Sequence, residues 1–121
     1  MARLEELTSY ELARLLESGV TAAVVPFGSV ESHGGHLPLG SDALLADVVG
    51  AEVAARLNAV VAPSVRVGFA TQHMAGLGTL TIADDTLREM AFEIGQSLFS
   101  HGFFASSWFR LTGGTSPPCR P

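Results

Sequence analysis

Two carboxylates and two imidazoles fall within residues 28–42, the glycine-rich part of the stretch GSVESHGGHLPLGSDALLADVV at residues 28–49. They are Glu31, His33, His36 and Asp42. Glu31 and His33 are two positions apart, so in extended backbone their side chains leave the same face. Carboxylates and imidazole form a borderline-hard ligand set that suits Zn²⁺ or Mn²⁺, and a carboxylate can bridge two such ions. The residue types and spacing therefore raise the hypothesis of half a metal site.

An ordinary surface bend explains the same residues without a metal. An aspartate just after a capping serine is favourable at a helix N-terminus, because the helix dipole stabilises negative charge there. If the metal site is real, paired ions would activate a water and polarise a carbonyl, which is the machinery of hydrolysis. His36 would then orient a ligand or contact the substrate. The spacing alone leaves both interpretations open.

The elements before the bend are predicted to place it at the end of a strand. Thr8 and Glu11 have the spacing of a capping box, which predicts a helix over residues 9–18. The continuous apolar run TAAVVPF, residues 21–27, predicts a strand covered on both faces. The bend follows this strand, and ligands in open α/β sheets gather beyond the carboxyl ends of strands.

Helical and strand patterns continue to alternate after the bend. Ser41 is predicted to cap a helix over residues 42–57, and residues 59–68 predict a second buried strand that ends in a loop. Residues 78–82 alternate like a short strand. A third helix is predicted from Asp84 or Asp85 to about Ser100, and its buried face comprises Leu87, Met90, Ala91, Ile94 and Leu98. This order predicts an α/β layer fold with a mainly parallel sheet.

The composition indicates a globular protein and argues against several classes of partner. Hydrophobic residues make up 47% of the 121 residues, and the net charge is −5 with Lys+Arg at only 7. No basic cluster offers a surface for nucleic acid or an anionic membrane. The N-terminus lacks the apolar core of a secretory signal, and no apolar run reaches the length of a membrane span. With Cys119 as the single cysteine, we expect a cytoplasmic protein without disulfides.

The sequence changes character after Phe104. A third buried strand is due there, but FASSWFRLTGGTSPPCRP is poor strand material and ends in a proline-rich tail. This segment holds the single Trp, the single Cys and three of the six prolines. We therefore predict two parts, an α/β domain over residues 1–103 and an aberrant or unstructured tail over residues 104–121.

Residues 24–46, VVPFGSVESHGGHLPLGSDALLA, resemble the signature of the creatininase family (creatinine amidohydrolase and relatives). That signature reads P-x-G-S-x-E-x-H-G-x-H-L-P-x-x-x-D, and every fixed position is matched from Pro26 to Asp42. A second stretch, GFATQHMAGLGTLTI, is similar to a family segment with a histidine and then Pro-Gly-Thr. His73 and Gly78-Thr79 match that segment, and Leu77 replaces its proline. The resemblance covers about residues 4–103.

The resemblance implies a three-layer α/β fold with a mainly parallel central sheet flanked by helices. It also implies a metal-dependent amidohydrolase that hydrolyses an amide, cyclic amide or formamide C–N bond in a small molecule. Two divalent ions, Zn or Mn, are implied: Glu31 would bind one, His33 the other, and Asp42 would bridge them. Separately from the resemblance, we assign His36 a catalytic part, and His73, in a loop after a strand end, a place near the substrate. Assembly into a homo-oligomer is implied for the full-length protein.

Family members differ from this sequence after Phe104. They continue into a hydrophobic strand that ends in an Asn-Gly-His motif with further metal ligands, whereas residues 105–121 contain no His, Asp or Glu. From the sequence we therefore expect a truncated or frame-shifted chain. The alternative to an active hydrolase is a non-catalytic fragment that retains only half of the metal site.

Overall fold

Four parallel strands form a single sheet in the spatial order β1-β3-β2-β4. The structure is a computed structural model that describes residues 1–110, with side chains through residue 104. The strands are β1 (Ala2–Arg3), β2 (Ala22–Phe27), β3 (Val60–Val61) and β4 (Ala105–Arg110). The prediction of a mainly parallel sheet is confirmed.

Three α-helices connect these strands in the described part of the chain. They are α1 (Ser9–Glu17), α2 (Ser41–Leu57) and α3 (Asp84–Ser100), and each begins and ends within a residue of its predicted bounds. The predicted capping box starts α1: the Thr8 hydroxyl accepts from the Glu11 N–H, and the Glu11 carboxylate accepts from the Thr8 N–H. Among the described residues, no helix is long and apolar enough to cross a membrane.

Strand β2 is apolar throughout because helices cover both of its faces. Side chains alternate along a strand, so successive residues point to opposite layers. Ala23, Val25 and Phe27 lie in one buried cluster with residues of α3, and α1 packs against the same cluster. Val24 lies in a second cluster with Ala54 of α2. The sheet is therefore the middle of three layers, as expected.

The buried face of α3 is narrower than predicted. Leu87, Ala91 and Leu98 are buried, and Ile94 is partly buried against them. Met90 is 37% exposed, so its predicted place in the core is wrong. Leu87, Ala91 and Leu98 follow one line at spacings of four and seven residues, and Met90 lies at the margin of that line.

The second predicted strand, residues 59–68, is ordered as a strand only over Val60–Val61. Pro63 has no N–H to donate, so the regular ladder stops there. The chain still follows β2, because the Ala62 N–H donates to the Val24 carbonyl and the Val65 N–H donates to the Pro26 carbonyl. The prediction of a buried strand that ends in a loop is confirmed for residues 59–62, which are buried, but Pro63 and Arg66 are exposed and the regular strand is shorter than expected.

Residues 78–82 do not form the predicted short strand. They make one isolated antiparallel bridge, between Leu80 and Val30. Threonine hydroxyls accept backbone N–H groups in place of ladder carbonyls: Thr79 Oγ1 accepts from Ser32 and Thr81 Oγ1 accepts from Ala70, each at 2.9 Å. The alternating pattern reflects these threonines, which point toward neighbouring backbone.

Ser41 does not cap α2. The cap residue is Gly40, which makes no side-chain hydrogen bond, and the Ser41 hydroxyl instead donates to the Pro38 carbonyl at 2.7 Å. The helix begins directly after Gly40, so Ser41 already lies in the first turn of α2. Its hydroxyl therefore stabilises the preceding turn, not the first N–H groups of the helix.

The chain after Phe104 differs from the expectation of poor strand material. Ala105–Arg110 form β4, which pairs in parallel with all six residues of β2, from Ala22↔Ala105 to Phe27↔Arg110. Pairing with a buried central strand outweighs weak intrinsic strand preference. The rest of the predicted tail, residues 111–121, lies outside the described residues, and the division at residue 103 stays a prediction.

Candidate metal centre

Three predicted ligands converge just beyond the carboxyl end of β2. Ligand atoms from Glu31, His33 and Asp42 all lie within 4.8 Å of one another. The His33 Nε2 atom is 3.5 Å from Asp42 Oδ1 and 4.0 Å from Glu31 Oε1. Glu31 is 5% exposed and the other two side chains are partly buried. Three ligand atoms this close to one another could hold a cation.

The bend between β2 and α2 folds back on itself to bring these groups together. The Glu31 N–H donates to the Leu39 carbonyl at 3.0 Å, which closes the bend across its two arms. Gly34, with φ of +70°, occupies the left-handed region at the tip, where a side chain would be strained. The glycines of the motif thus allow the chain to reverse over a short distance.

The orientation of the His33 ring follows from a backbone contact. Its Nδ1 atom lies 2.9 Å from the Glu31 carbonyl oxygen. A carbonyl only accepts, so Nδ1 carries the hydrogen and the lone pair of the neutral ring is on Nε2. That atom faces the two carboxylates, which is the arrangement seen when a histidine ligand is held by its other nitrogen.

Asp42 reaches the site because α2 begins against the end of β2. A Cβ atom on Gly28 would lie 2.4 Å from the Ala43 Cα atom, so only glycine allows the helix to approach this closely. Asp42 is in the first turn of that helix, where a negative charge is also favourable. Asp42 can therefore stabilise the N-terminus of α2 and bind a metal ion at the same time.

Burial raises the pKa of the Glu31 carboxyl, and the neighbouring Asp42 carboxyl raises this pKa further. The charge of His73 and a hydrogen bond from the Ser29 hydroxyl act in the opposite direction without cancelling the increase. Two carboxyls that face each other in a partly dry site repel when both are ionised. A cation between them would relieve that repulsion.

Of the two remaining candidate histidines, one joins the site and the other lies outside it. His73, in a short 3₁₀ turn at Thr71–His73, has its Nε2 atom 3.6 Å from Glu31 Oε2 and is 43% exposed as a side chain. His36 is exposed and is not part of the three-residue ligand group. Their assigned roles, near the substrate and in catalysis respectively, stay predictions.

Two residues around the site were not assigned a role from the sequence. Ser29 is fully buried, and its hydroxyl donates to Glu31 Oε2 at 3.3 Å. Thr79 is 6% exposed and contacts the backbone between Glu31 and His33. The contact of Ser29 with Glu31 could have been predicted from the spacing, because Ser29 lies two residues before Glu31 on the same face. No local pattern indicates which bend Thr79 would contact.

The donor set fits a divalent ion. Two carboxylates and one imidazole, with the imidazole already fixed through its other nitrogen, are ligands that Zn²⁺ and Mn²⁺ accept. Fold and site together define an α/β layer protein with a candidate metal centre at the carboxyl end of a parallel sheet. The family model for creatininase, described as creatinine amidohydrolase, matches residues 5–108, and the chain belongs to this family.

Relatives of the chain include proteins with different named substrates. It is 34% identical over 91 residues to a mycofactocin precursor peptide peptidase of Mycobacterium ulcerans, covering 68% of this chain and 36% of the relative. It is 31% identical over 102 residues to a creatinine amidohydrolase of Pseudomonas putida, covering 80% of this chain and 39% of the relative.

Solved creatininases share the fold. A crystal structure of creatinine amidohydrolase superposes with a TM-score of 0.81 at 28% identity, covering 88% of this chain and 43% of the other. Further solved creatininases of this fold include a manganese form and a mutant of Zn–Zn type. The chain spans less than half the length of the relatives that it matches.

Proposed function

We propose that this chain binds divalent ions through Glu31, His33 and Asp42 and serves in the hydrolysis of an amide C–N bond. The convergence of three ligand atoms within 4.8 Å is the observation that carries the proposal. Relatives named for peptide and creatinine hydrolysis support a substrate that contains a carbonyl bonded to nitrogen. Manganese and zinc forms of similar structures support either metal, and the expectation of two ions belongs to the same proposal.

The residues of the chain would divide the work as follows. Ions of this kind supply activation of water and polarisation of a carbonyl. Glu31 and Asp42 provide the negative charge that attracts a cation, and the contact of His33 Nδ1 with a backbone carbonyl aims Nε2 at the same point. Ser29 holds one Glu31 oxygen in place.

We further propose that His73 moves a proton at the site. Its Nε2 atom faces Glu31 Oε2 at 3.6 Å, and nearly half of its side chain is exposed. Amide cleavage requires a proton on the departing nitrogen, and a histidine within reach of a buried carboxylate suits that transfer. We therefore propose that His73 lies near the substrate and also transfers a proton to the departing nitrogen.

A second candidate function is metal binding without turnover. The described residues bring together three ligands, and a pair of ions needs more donors than three side chains provide. In this case the chain holds one ion and releases no product. Homo-oligomeric assembly and cytoplasmic location, which were expected from the resemblance and from the composition, stay predictions.

One assay distinguishes these functions. The metal-free 121-residue protein is titrated with Zn²⁺ and separately with Mn²⁺, and each sample is then incubated with creatinine and with a short peptide amide. Metal binding with product formation supports the hydrolase, and binding without product supports the second candidate.

The matched variants for this assay are Glu31→Gln and Glu52→Gln. Glu52 is an exposed glutamate paired with Arg56 on α2. Equal metal binding by wild type and Glu31→Gln would contradict both candidate functions, because each requires Glu31 as a ligand. Glu52→Gln is expected to bind as the wild type does.

A further inference from the structure

A second segment of the chain is pressed against the bend that carries two of the ligands. The Ser32 N–H donates to Thr79 Oγ1 at 2.9 Å, and the Leu80 N–H donates to the Val30 carbonyl at the same distance. A Cβ atom on Gly76 would lie 2.3 Å from the Ser32 Cβ atom, so the Gly76 backbone packs closely against the Ser32 side chain. Gly76, Thr79 and Leu80 thus each contact the bend, at Ser32 or at Val30.

We propose that Thr79 is a positioning residue of the metal site, acting through the peptide between Glu31 and His33. The inference rests on the proposed function, because it assigns Thr79 a part in metal binding. Its hydroxyl touches no ligand directly. It accepts the N–H of Ser32, the residue that separates the two ligands, and so fixes the rotation of the backbone from which both side chains extend.

The geometry favours a specific role over general packing. Glu31 and His33 flank Ser32, and their side chains leave the same face of the backbone. A small rotation of the Ser32 peptide would therefore move both side chains away from Asp42. Threonine is branched at Cβ and its χ1 is restricted, which keeps the acceptor oxygen in one place. Thr79 is also 6% exposed, so water does not readily replace its hydroxyl.

The chain offers a matched control two residues away. Thr81 Oγ1 accepts the Ala70 N–H at 2.9 Å, a bond of the same type and length that does not involve the ligand bend. Thr79→Val and Thr81→Val therefore each remove one hydroxyl acceptor from the same segment. Thr79→Ser keeps the acceptor oxygen. If Thr79→Val does not fold, Thr79→Ala replaces it as the variant that lacks the hydroxyl.

The first measurement is amide hydrogen exchange of Ser32 in the metal-free, full 121-residue protein. We expect Thr79→Val to increase the exchange rate of the Ser32 amide about tenfold or more, since the lost bond protects it directly. Thr79→Ser is expected to stay near the wild-type rate. Thr81→Val is expected to expose the Ala70 amide and leave the Ser32 amide protected.

The second measurement is calorimetric titration of the same four proteins with Zn²⁺. Loss of a group that orients a ligand weakens metal affinity by about 10–100-fold, and we expect Thr79→Val at the lower end. Thr79→Ser and Thr81→Val should remain within about twofold of the wild type by the same reasoning.

Each result decides the inference. Wild-type affinity in Thr79→Val, or equal weakening in Thr81→Val, would overturn the role of Thr79 while leaving the proposed metal site intact. Failure of the wild type to bind Zn²⁺ and Mn²⁺ would instead overturn the proposed function, and the inference with it. Selective loss in Thr79→Val with rescue by Thr79→Ser supports both.

Discussion

The His33 Nε2 atom lies 3.5 Å from Asp42 Oδ1, and the two residues belong to different elements. His33 is in the bend after β2, whereas Asp42 is in the first turn of α2. Their contact depends on Gly28, which lets the helix approach the strand end, and on the hydrogen bond from Glu31 to Leu39 that closes the bend. The candidate metal centre is therefore a property of the strand–bend–helix unit as a whole.

Glu31→Gln is expected to change metal binding and metal-free stability in opposite directions. Metal affinity should fall, because the substitution replaces a charged ligand. The metal-free protein should gain on the order of 1 kcal/mol in unfolding free energy at neutral pH, because the pKa of Glu31 is raised by burial and by Asp42. Chemical denaturation and metal titration on the same samples measure the two effects.

The size of the stability effect depends on pH. A raised pKa in the folded state means that the ionised Glu31 destabilises the fold above that pKa. The advantage of Glu31→Gln should therefore shrink as the pH falls through the raised pKa and the wild-type carboxyl takes up a proton. A glutamine variant less stable than the wild type at neutral pH would contradict the expectation.

Gly28→Ala is expected to damage both the fold and the site. The added Cβ atom would meet the Ala43 backbone at 2.4 Å, so α2 must move away from β2. Overpacking of this kind costs about 1–3 kcal/mol, and the shift carries Asp42 away from His33. Thermal unfolding and metal affinity should both decrease.

The control for that substitution lies in the same bend. A Cβ atom on Gly35 would have open space around it, and Gly35→Ala should change the unfolding free energy by about 0.5 kcal/mol or less. Equal losses in the two variants would show that glycine is needed for chain flexibility in the bend, not for the close approach of the helix.

Asp47→Asn tests an ion pair that ties α2 to the chain after β3. Burial acts to raise the pKa of Asp47, but hydrogen bonds from Ser64 and Arg66 together with the arginine charge hold the pKa below its ordinary value. The Arg66 Nη1 to Asp47 Oδ2 distance is 2.6 Å. A lowered pKa contributes stability that is present above the unfolded value of about 3.9 and is lost as the pH falls through the folded value.

We therefore expect Asp47→Asn to lower the unfolding free energy by about 1 kcal/mol at pH 7. The difference from wild type should fade in acid, where the wild-type carboxylate is protonated as well. Denaturation series at several pH values measure it. Asp84→Asn, which removes an i,i+4 pair with Arg88 on α3, should cost about 0.5 kcal/mol at pH 7.

Metal removal gives a fourth prediction. An ion that binds only the folded chain stabilises it by about 2.7 kcal/mol when its free concentration is a hundred times the dissociation constant. Addition of a chelator to the Zn²⁺-loaded protein should lower its melting temperature accordingly. Asp42→Asn should show little difference between loaded and chelated samples, and an undiminished difference would contradict Asp42 as a ligand.

Local sequence signals predicted the scaffold well where each element depends on its own residues. The capping box at Thr8 sets the start of α1, and the apolar run of β2 indicates burial on both faces. The order of helices and strands then implies parallel pairing. The convergence of Glu31, His33 and Asp42 followed from the placement of the bend at a strand end.

The predictions from the sequence were wrong or incomplete where contacts between residues far apart in the chain determine the local structure. Serine is a favourable residue type at a helix N-cap. The N-cap of α2 is nevertheless Gly40, because the bend ends one residue earlier than the sequence indicates and Ser41 is already helical. Ala105–Arg110 pair with β2 despite weak strand preference, because a long buried partner is available. The role of Thr79 depends on a residue 47 positions away, and no local pattern carries that information.

Residues 78–82 are attached to their surroundings mainly through threonine hydroxyls and one isolated bridge, not through a continuous ladder. The parallel sheet beneath does not rely on this segment for its own pairing. Substitution of the exposed Leu80 can alter the surface of this segment at small cost to the sheet, whereas Thr79 is held by its bond to the Ser32 N–H. An attachment of this kind suits a family whose relatives carry the names of different substrates, since exposed side chains of the segment can change while the Thr79 hydroxyl keeps its contact with the ligand bend.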